Sequence, residues 1–262
     1  MGGFVLRAAV AFAGMLALGA SAALDTQRAL AVSRAAVGSQ PPPYAFTDTE
    51  GRRVTLADYR GKPLVVSFVY TGCSQVCPTT TRFLAKAVRQ ARDVVGADSF
   101  AVASIGFDIP SDNPVSMKVF ARRNEIDDPR WAFLTPDAGV PRPLAGDFGF
   151  SFESASGGFE HLTQVTILDA SGRVYAQLPG DAFELPMLVQ PLRELTLGAP
   201  VRTRNLADIA ERVRLVCTVY DPLTGKYRLD YGFFIEIAVG LGVLGATAAF
   251  LVREHRRARR PC

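Results

Sequence analysis

Two cysteines four positions apart, in Thr71-Gly72-Cys73-Ser74-Gln75-Val76-Cys77-Pro78, are the residues of this 262-residue chain best placed to do chemistry. They follow Leu64-Val65-Val66-Ser67-Phe68-Val69-Tyr70, an apolar run that reads as a fully buried strand. The pair therefore lies where a strand hands over to a helix. On a helix, positions i and i+4 share a face, so the two sulfurs can converge on one atom or on each other. That spacing admits a redox dithiol, a soft-metal clamp or a permanent local disulfide.

The histidines narrow the choice. There are two, and His255 sits in an arginine-rich tail, which leaves His161 for the rest of the chain. It ends Gly157-Gly158-Phe159-Glu160-His161, in a loop just before an expected strand from Thr163 to Leu168. In a thioredoxin-like sheet that loop packs against the cysteine turn, so His161 can approach the sulfurs from the opposite side. Two thiolates and an imidazole suit three-coordinate Cu(I), and the same set can hold Cu(II). A structural zinc site wants a fourth protein ligand, and none stands nearby. Cys217, the nearest other cysteine, follows the last domain helix.

Thiol exchange is the rival chemistry, because a thiolate near a helix N-terminus has a lowered pKa. Two details count against efficient thioredoxin-type turnover. Three residues separate the cysteines instead of two, and the loop before Thr163 contains no proline. A peroxidase reading lacks its Pro-x-x-x-Thr-x-x-Cys pattern before Cys73.

The elements that must position these groups alternate. After the buried strand comes a helix from about Pro78 to Val94, then a strand from Phe100 to Phe107 ending at Asp108. Asn113-Pro114 caps a second helix, Trp131-Ala132-Phe133-Leu134 is a short extended piece, and Val140 to Phe148 is helical. Strands at Thr163–Leu168 and Arg173–Leu178 form a hairpin across Asp169-Ala170-Ser171-Gly172, before a last helix from Leu185 to Leu197. A further small hairpin is expected at Tyr44–Thr47 and Arg53–Leu56. This order implies an α/β fold, a mainly parallel sheet flanked by helices, and a dithiol after its first central strand reads as thioredoxin-like.

The chain ends speak of export. Arg7, an apolar stretch from Ala8 to Leu18 and Ala20-Ser21-Ala22 fit a cleaved signal peptide, residues 1–22. Residues 23–43 read as a linker with a short helix from Thr26 to Val37, broken by Pro41-Pro42-Pro43. The domain then occupies 44–200. A juxtamembrane segment, 201–231, carries an amphipathic stretch over 205–216 and a turn at Tyr220–Tyr227. Residues 232–252 are apolar except Glu236 and Thr247, about 21 residues or ~31 Å of helix, which matches a bilayer core. The tail 253–262 holds Arg253, Arg256, Arg257, Arg259 and Arg260, the signature of a cytoplasmic face. These arginines, less Glu254, account for the net charge of +4. The basic balance is thus a topology signal, and nucleic acid is not an expected partner. One close cysteine pair and one odd thiol outside the membrane do not make a disulfide scaffold.

With these residues in view, the chain resembles the Sco/SenC family of membrane-anchored copper proteins. The resemblance rests on Gly61-Lys62-Pro63, Tyr70 through Pro78, Phe107-Asp108, Trp131 through Thr135, and His161 followed by Leu168-Asp169-Ala170-Ser171-Gly172. It covers about Tyr44 to Leu197. It implies a thioredoxin-like fold with copper, Cu(I) and/or Cu(II), bound by two cysteines and a histidine, here Cys73, Cys77 and His161. Asp108 matches an acidic position of the family and is expected as an outer-shell group. The resemblance further implies work on the binuclear copper site of cytochrome c oxidase, by copper donation, by thiol reduction, or both. Expected partners are the copper-site subunit of that oxidase, a periplasmic copper donor or thiol reductant, and membrane lipid around the C-terminal helix. A bacterial-type inner membrane with the domain in the periplasm follows. Many family members are anchored at the N-terminus, whereas this chain's convincing anchor is C-terminal.

Overall fold

The structure, a computed structural model, describes residues 24–109, 111–155, 157–198, 218–221, 224, 226–229 and 232–258. The expected signal peptide, the amphipathic stretch 205–216, Cys217 and Cys262 lie outside the described residues. The described chain falls into two compact units, one within Met1–Leu84 and Phe100–Phe183, the other within Ala85–Ser99 and Glu184–Cys262.

The first unit contains strands β1 (Ala45–Asp48), β2 (Arg53–Thr55), β3 (Leu64–Val69), β4 (Ala101–Gly106), β5 (Trp131–Pro136), β6 (Phe152–Ala155), β7 (Gly158–His161), β8 (Gln164–Leu168) and β9 (Val174–Pro179). Seven of them make one sheet in the order β2-β1-β5-β4-β3-β8-β9, and β6 and β7 form a separate two-stranded ribbon. The helices are α1 (Thr26–Ala35), α2 (Val76–Val95), which runs on into the second unit, α3 (Pro114–Arg123) and α4 (Pro141–Asp147).

β3 is the axis of the sheet. It runs parallel to β4 and antiparallel to β8, with Val66 opposite Ala103 on one edge and Thr166 on the other. All six of its residues are buried, which is why it reads as an unbroken apolar run. The one hydroxyl in that run is satisfied across the sheet. Ser67 Oγ meets Ser104 Oγ at 2.9 Å, and Trp131 Nε1 donates to Ser104 Oγ at 2.9 Å. The parallel strands β3, β4 and β5 are the part expected from the strand–helix alternation. Antiparallel pairings at both edges make the sheet mixed.

Local chemistry sets the helix starts. Asp25 caps α1 by accepting from the Gln27 and Arg28 amides, and Asn113 caps α3 by accepting from Val115 and Ser116. Each cap is worth about 1 kcal/mol. α2 begins at Val76, so Cys77 already lies in its first turn.

Where the sequence reads as a linker, the structure has a packed element. α1 buries Ala29 and Ser33, and the chain after it joins β9 through Gly38 N to Val174 O and Val174 N to Ser39 O, both 2.8 Å. The buried face consists of small residues, so its apolar signal is faint in sequence. A second difference concerns residues 152–161, which form the β6–β7 ribbon with Phe152 opposite His161. His161 therefore ends a strand and is not in a loop.

The second unit holds α5 (Leu185–Gly198), a hairpin of β10 (Thr218–Asp221) and β11 (Lys226–Leu229), and α6 (Gly232–Ala258). The expected turn at 220–227 is the middle of this hairpin, with Tyr220 and Tyr227 directly opposite and their rings 5.2 Å apart. Arg193 of α5 donates to the Thr218 carbonyl. Within α6, Ile235–Arg253 is long and apolar enough to cross a membrane.

Gly149 reports on the docking of α1. Its φ is +67°, and a Cβ there would lie 2.7 Å from Ala36 Cβ and 2.9 Å from Ser33 Cα. Gly149→Ala is expected to destabilise the protein by about 2–4 kcal/mol through backbone strain and overpacking. Urea denaturation checks this, and a change below about 0.5 kcal/mol would contradict the packed helix.

Candidate metal centre

The cysteine turn is a direct continuation of β3. The Cys73 amide donates to the Tyr70 carbonyl at 3.2 Å, and the Cys77 amide, in the first turn of α2, donates to Cys73 Sγ at 3.4 Å. The Cys73 sulfur thus serves as acceptor for a helix amide that has no partner inside the helix. Among the described residues neither thiol forms a disulfide.

Their surroundings differ sharply. Cys73 is partly exposed and Cys77 is buried, at 3 %. Burial pushes the Cys73 thiol up, but the amides of Cys77 and Gln75, with the Cys77 thiol and the Tyr70 hydroxyl, outweigh it and hold the group below its ordinary value. Cys77 is pushed up to about 12, chiefly by burial, with the neighbouring Cys73 and Asp112 acting the same way. One thiol is therefore ready to ionise, and the other gives up its proton only to a partner that replaces it.

His161 reaches this region on β7. Its ring lies against Phe150, Phe107 and Tyr70, at centroid distances of 5.7, 5.8 and 6.4 Å. Burial lowers its pKa, with a backbone hydrogen bond at Leu162 acting the other way, so the neutral imidazole is favoured. His161 Nδ1 is buried and has no hydrogen-bond partner among the described residues. Together with Cys77, Thr80 and Gln164 it lines a cavity of about 20 Å³, and Thr80 Oγ1 and Gln164 Oε1 are likewise unpartnered. Tyr70 joins ribbon to turn, since its hydroxyl meets the Phe159 amide on one side and Cys73 on the other. Gly158 makes room for it, because a Cβ there would stand 2.6 Å from the Tyr70 hydroxyl oxygen.

The structure therefore brings Cys77 and His161 to one cavity, with Cys73 bonded to the amide above it. Among the described residues, no three His, Cys, Asp or Glu side chains already converge to hold an ion. The donors nonetheless fit a soft metal in type, as two thiols and an imidazole held among aromatic rings. Asp108, expected near the site, contributes its backbone: its amide donates to Asp112 Oδ2 at 2.8 Å.

Asp112 is the residue that sequence reasoning missed. Its side chain is fully buried and accepts four hydrogen bonds, from Thr71 N (2.6 Å), Thr71 Oγ1 (2.8 Å), Phe107 N (3.0 Å) and Asp108 N (2.8 Å). An aspartate just before Asn113-Pro114 reads as an ordinary turn residue. Only Gly106 hints at its position, since a Cβ there would sit 2.5 Å from Asp112 Cβ.

The thiol asymmetry gives a pH-dependent expectation. With iodoacetamide at pH 7, Cys73 should react at least about tenfold faster than Cys77, because only thiolates attack. The Cys73 rate should reach half its plateau at a pH below that of an ordinary thiol. Equal rates at both cysteines, measured by peptide mass mapping, would contradict the asymmetry.

The SCO1/SenC family model matches residues 34–196. The SCO1 protein homologue of Bacillus subtilis (strain 168) is 26% identical over 95 residues, 36% of this chain and 47% of that protein. The chain spans about half the length of the curated relatives it matches. The copper-bound structure of Bradyrhizobium japonicum ScoI superposes with a TM-score of 0.51 at 22% identity, covering 61% of this chain and 99% of that one. BsSco, a member of the Sco family of cytochrome c oxidase assembly proteins in which a disulfide switch was identified, gives a TM-score of 0.55 at 18% identity over 61% of this chain and 94% of that one. At those identities the structural likeness speaks for the fold, which is thioredoxin-like. The family match spans more than half of the chain, and it identifies this protein as a member of the SCO1/SenC family.

Proposed function

We propose that this protein is a membrane-tethered copper chaperone whose cargo is held by Cys73, Cys77 and His161. Its family is known in copper binding and in cytochrome c oxidase assembly. The observation that carries the reading is that His161, whose Nδ1 is unpartnered among the described residues, lines the same cavity as Cys77, next to a second free thiol. Cu(I) favours sulfur and low coordination, and a neutral imidazole supplies the third donor. Loading displaces the thiol protons of Cys73 and Cys77, which is easy at the first and uphill at the second. Completing the site needs the β6–β7 ribbon to carry His161 onto the thiols. Release to the thiols of the oxidase copper-site subunit is then ligand exchange, with Asp108 beside the turn as an outer group.

Residues 1–22 serve as signal peptide in this reading, and α6 anchors the domain on the periplasmic side of a bacterial-type inner membrane. The apolar span Ile235–Arg253, followed by arginines, supports that orientation. The cargo arrives from a periplasmic copper donor, and a thiol reductant keeps the pair reduced.

The asymmetry of the two thiols also favours a second reading, as a thiol–disulfide reductase for the oxidase cysteines. In that case the Cys73 thiolate attacks a target disulfide and Cys77 resolves the mixed disulfide, so that two electrons pass to the target.

Anaerobic Cu(I) titration of the reduced full-length chain in detergent micelles, against a competing chelator, separates the two. One Cu(I) per chain is expected, with affinity reduced at least about tenfold in His161→Ala. Weak binding indifferent to His161, with reductase activity kept in His161→Ala and lost in Cys77→Ser, would overturn the chaperone in favour of the reductase.

A further inference from the structure

Asp112 stands 41 residues from Thr71 in sequence and is fully buried, yet it touches neither thiol in the hydrogen bonds it makes. Its two oxygens divide their work. Oδ1 takes both the amide and the hydroxyl of Thr71, at 2.6 and 2.8 Å, and Oδ2 takes the amides of Phe107 and Asp108 at 3.0 and 2.8 Å. The first pair belongs to the cysteine turn, the second to the chain leaving β4. Asp112 is itself fixed, because its amide donates to the Asp108 carbonyl at 2.7 Å and its carbonyl accepts from Thr135 Oγ1 at 2.8 Å. The carboxylate is a bracket between two loops, added to the Phe107 N–Val69 O bond at 3.2 Å and the edge-on contact of the Tyr70 and Phe107 rings at 5.5 Å.

We infer that Asp112 is a positioning residue for the dithiol, holding the turn so that Cys73 and Cys77 act as a pair on copper or on each other. Two ligands fixed beforehand bind a third body without losing further chain freedom. The same preorganisation raises the effective concentration of one thiol at the other. Loosening the bracket therefore weakens both Cu(I) binding and the Cys73–Cys77 disulfide. The copper half of this rests on the ligand set proposed above; the disulfide half does not.

The variants are Asp112→Asn, which keeps the volume but sets a donor against at least one of the amides the carboxylate accepts from, and Thr71→Val, which removes only the hydroxyl bond. Thr71→Ser restores that hydroxyl. All are made in the full-length chain in micelles. In the metal-free reduced protein, hydrogen exchange of the Thr71 and Asp108 amides should accelerate at least tenfold in Asp112→Asn, with the β3–β4 amides unchanged and the Phe107 amide still protected by its bond to the Val69 carbonyl. In glutathione buffers, the protein disulfide takes two electrons from two glutathione thiols, which leave as one glutathione disulfide. That equilibrium should move at least fivefold toward the dithiol in Asp112→Asn and about threefold in Thr71→Val, with Thr71→Ser like the parent. Cu(I) affinity should follow the same ranking.

A folded Asp112→Asn or Thr71→Val protein with the parent's glutathione equilibrium would overturn the inference, as would a Thr71→Ser variant that behaves like Thr71→Val. Should Asp112→Asn fail to fold, the valine and serine pair decides. A parent chain that takes no Cu(I) would sink the ligand set, and the two metal-free measurements would still decide the bracket.

Discussion

β3 is bonded along both edges and buried along its whole length, so whatever is attached to its end inherits a fixed position. A strand so held cannot slip by one residue without turning its side chains to the wrong face. Its C-terminal end opens directly into the cysteine turn, beside the end of β4 on one edge and the start of β8 on the other. β4 leads into the loop of Asp112, and β8 is preceded by the ribbon that carries His161. The site is thus assembled from three points that are far apart in sequence and adjacent in the sheet.

Electrostatics then divides labour between two residues of one type. Cys73 accepts from amides at the start of α2 and lies partly open, so its thiolate is favoured. Cys77, one helical turn on, is enclosed, and its thiol holds its proton. Such a pair is stable when empty and becomes reactive when an electrophile, a soft metal or a disulfide sulfur, presents itself at Cys73 first. Burial favours the neutral imidazole at His161, and its Nδ1 has no hydrogen-bond partner among the described residues. The proposed copper donation and its rival, thiol exchange, would draw on the same asymmetry, and the histidine is what distinguishes them.

Much of this was legible in the sequence because the strongest signals are local. The buried strand shows as an apolar run, the cysteine pair as a helical spacing, and His161 stands out because the other histidine is in a basic tail. What escaped is tertiary. α1 docks through Ala29 and Ser33, residues too small to mark a face. The β6–β7 ribbon has only four residues per strand, with Gly157 and Gly158 about its turn, although Phe152, Phe159 and His161 alternate with glutamates as a strand pair should. Asp112 reads locally as a turn residue, since its Thr71 partner lies 41 residues away and only Gly106 hints at its position.

The central claim is that copper sits between two sulfurs and one nitrogen of this chain. X-ray absorption at the copper K-edge of the Cu(I)-loaded full-length protein reads that donor set directly. Two sulfurs and one imidazole nitrogen per copper are predicted. A sulfur-only shell, or one with a single sulfur, would contradict it.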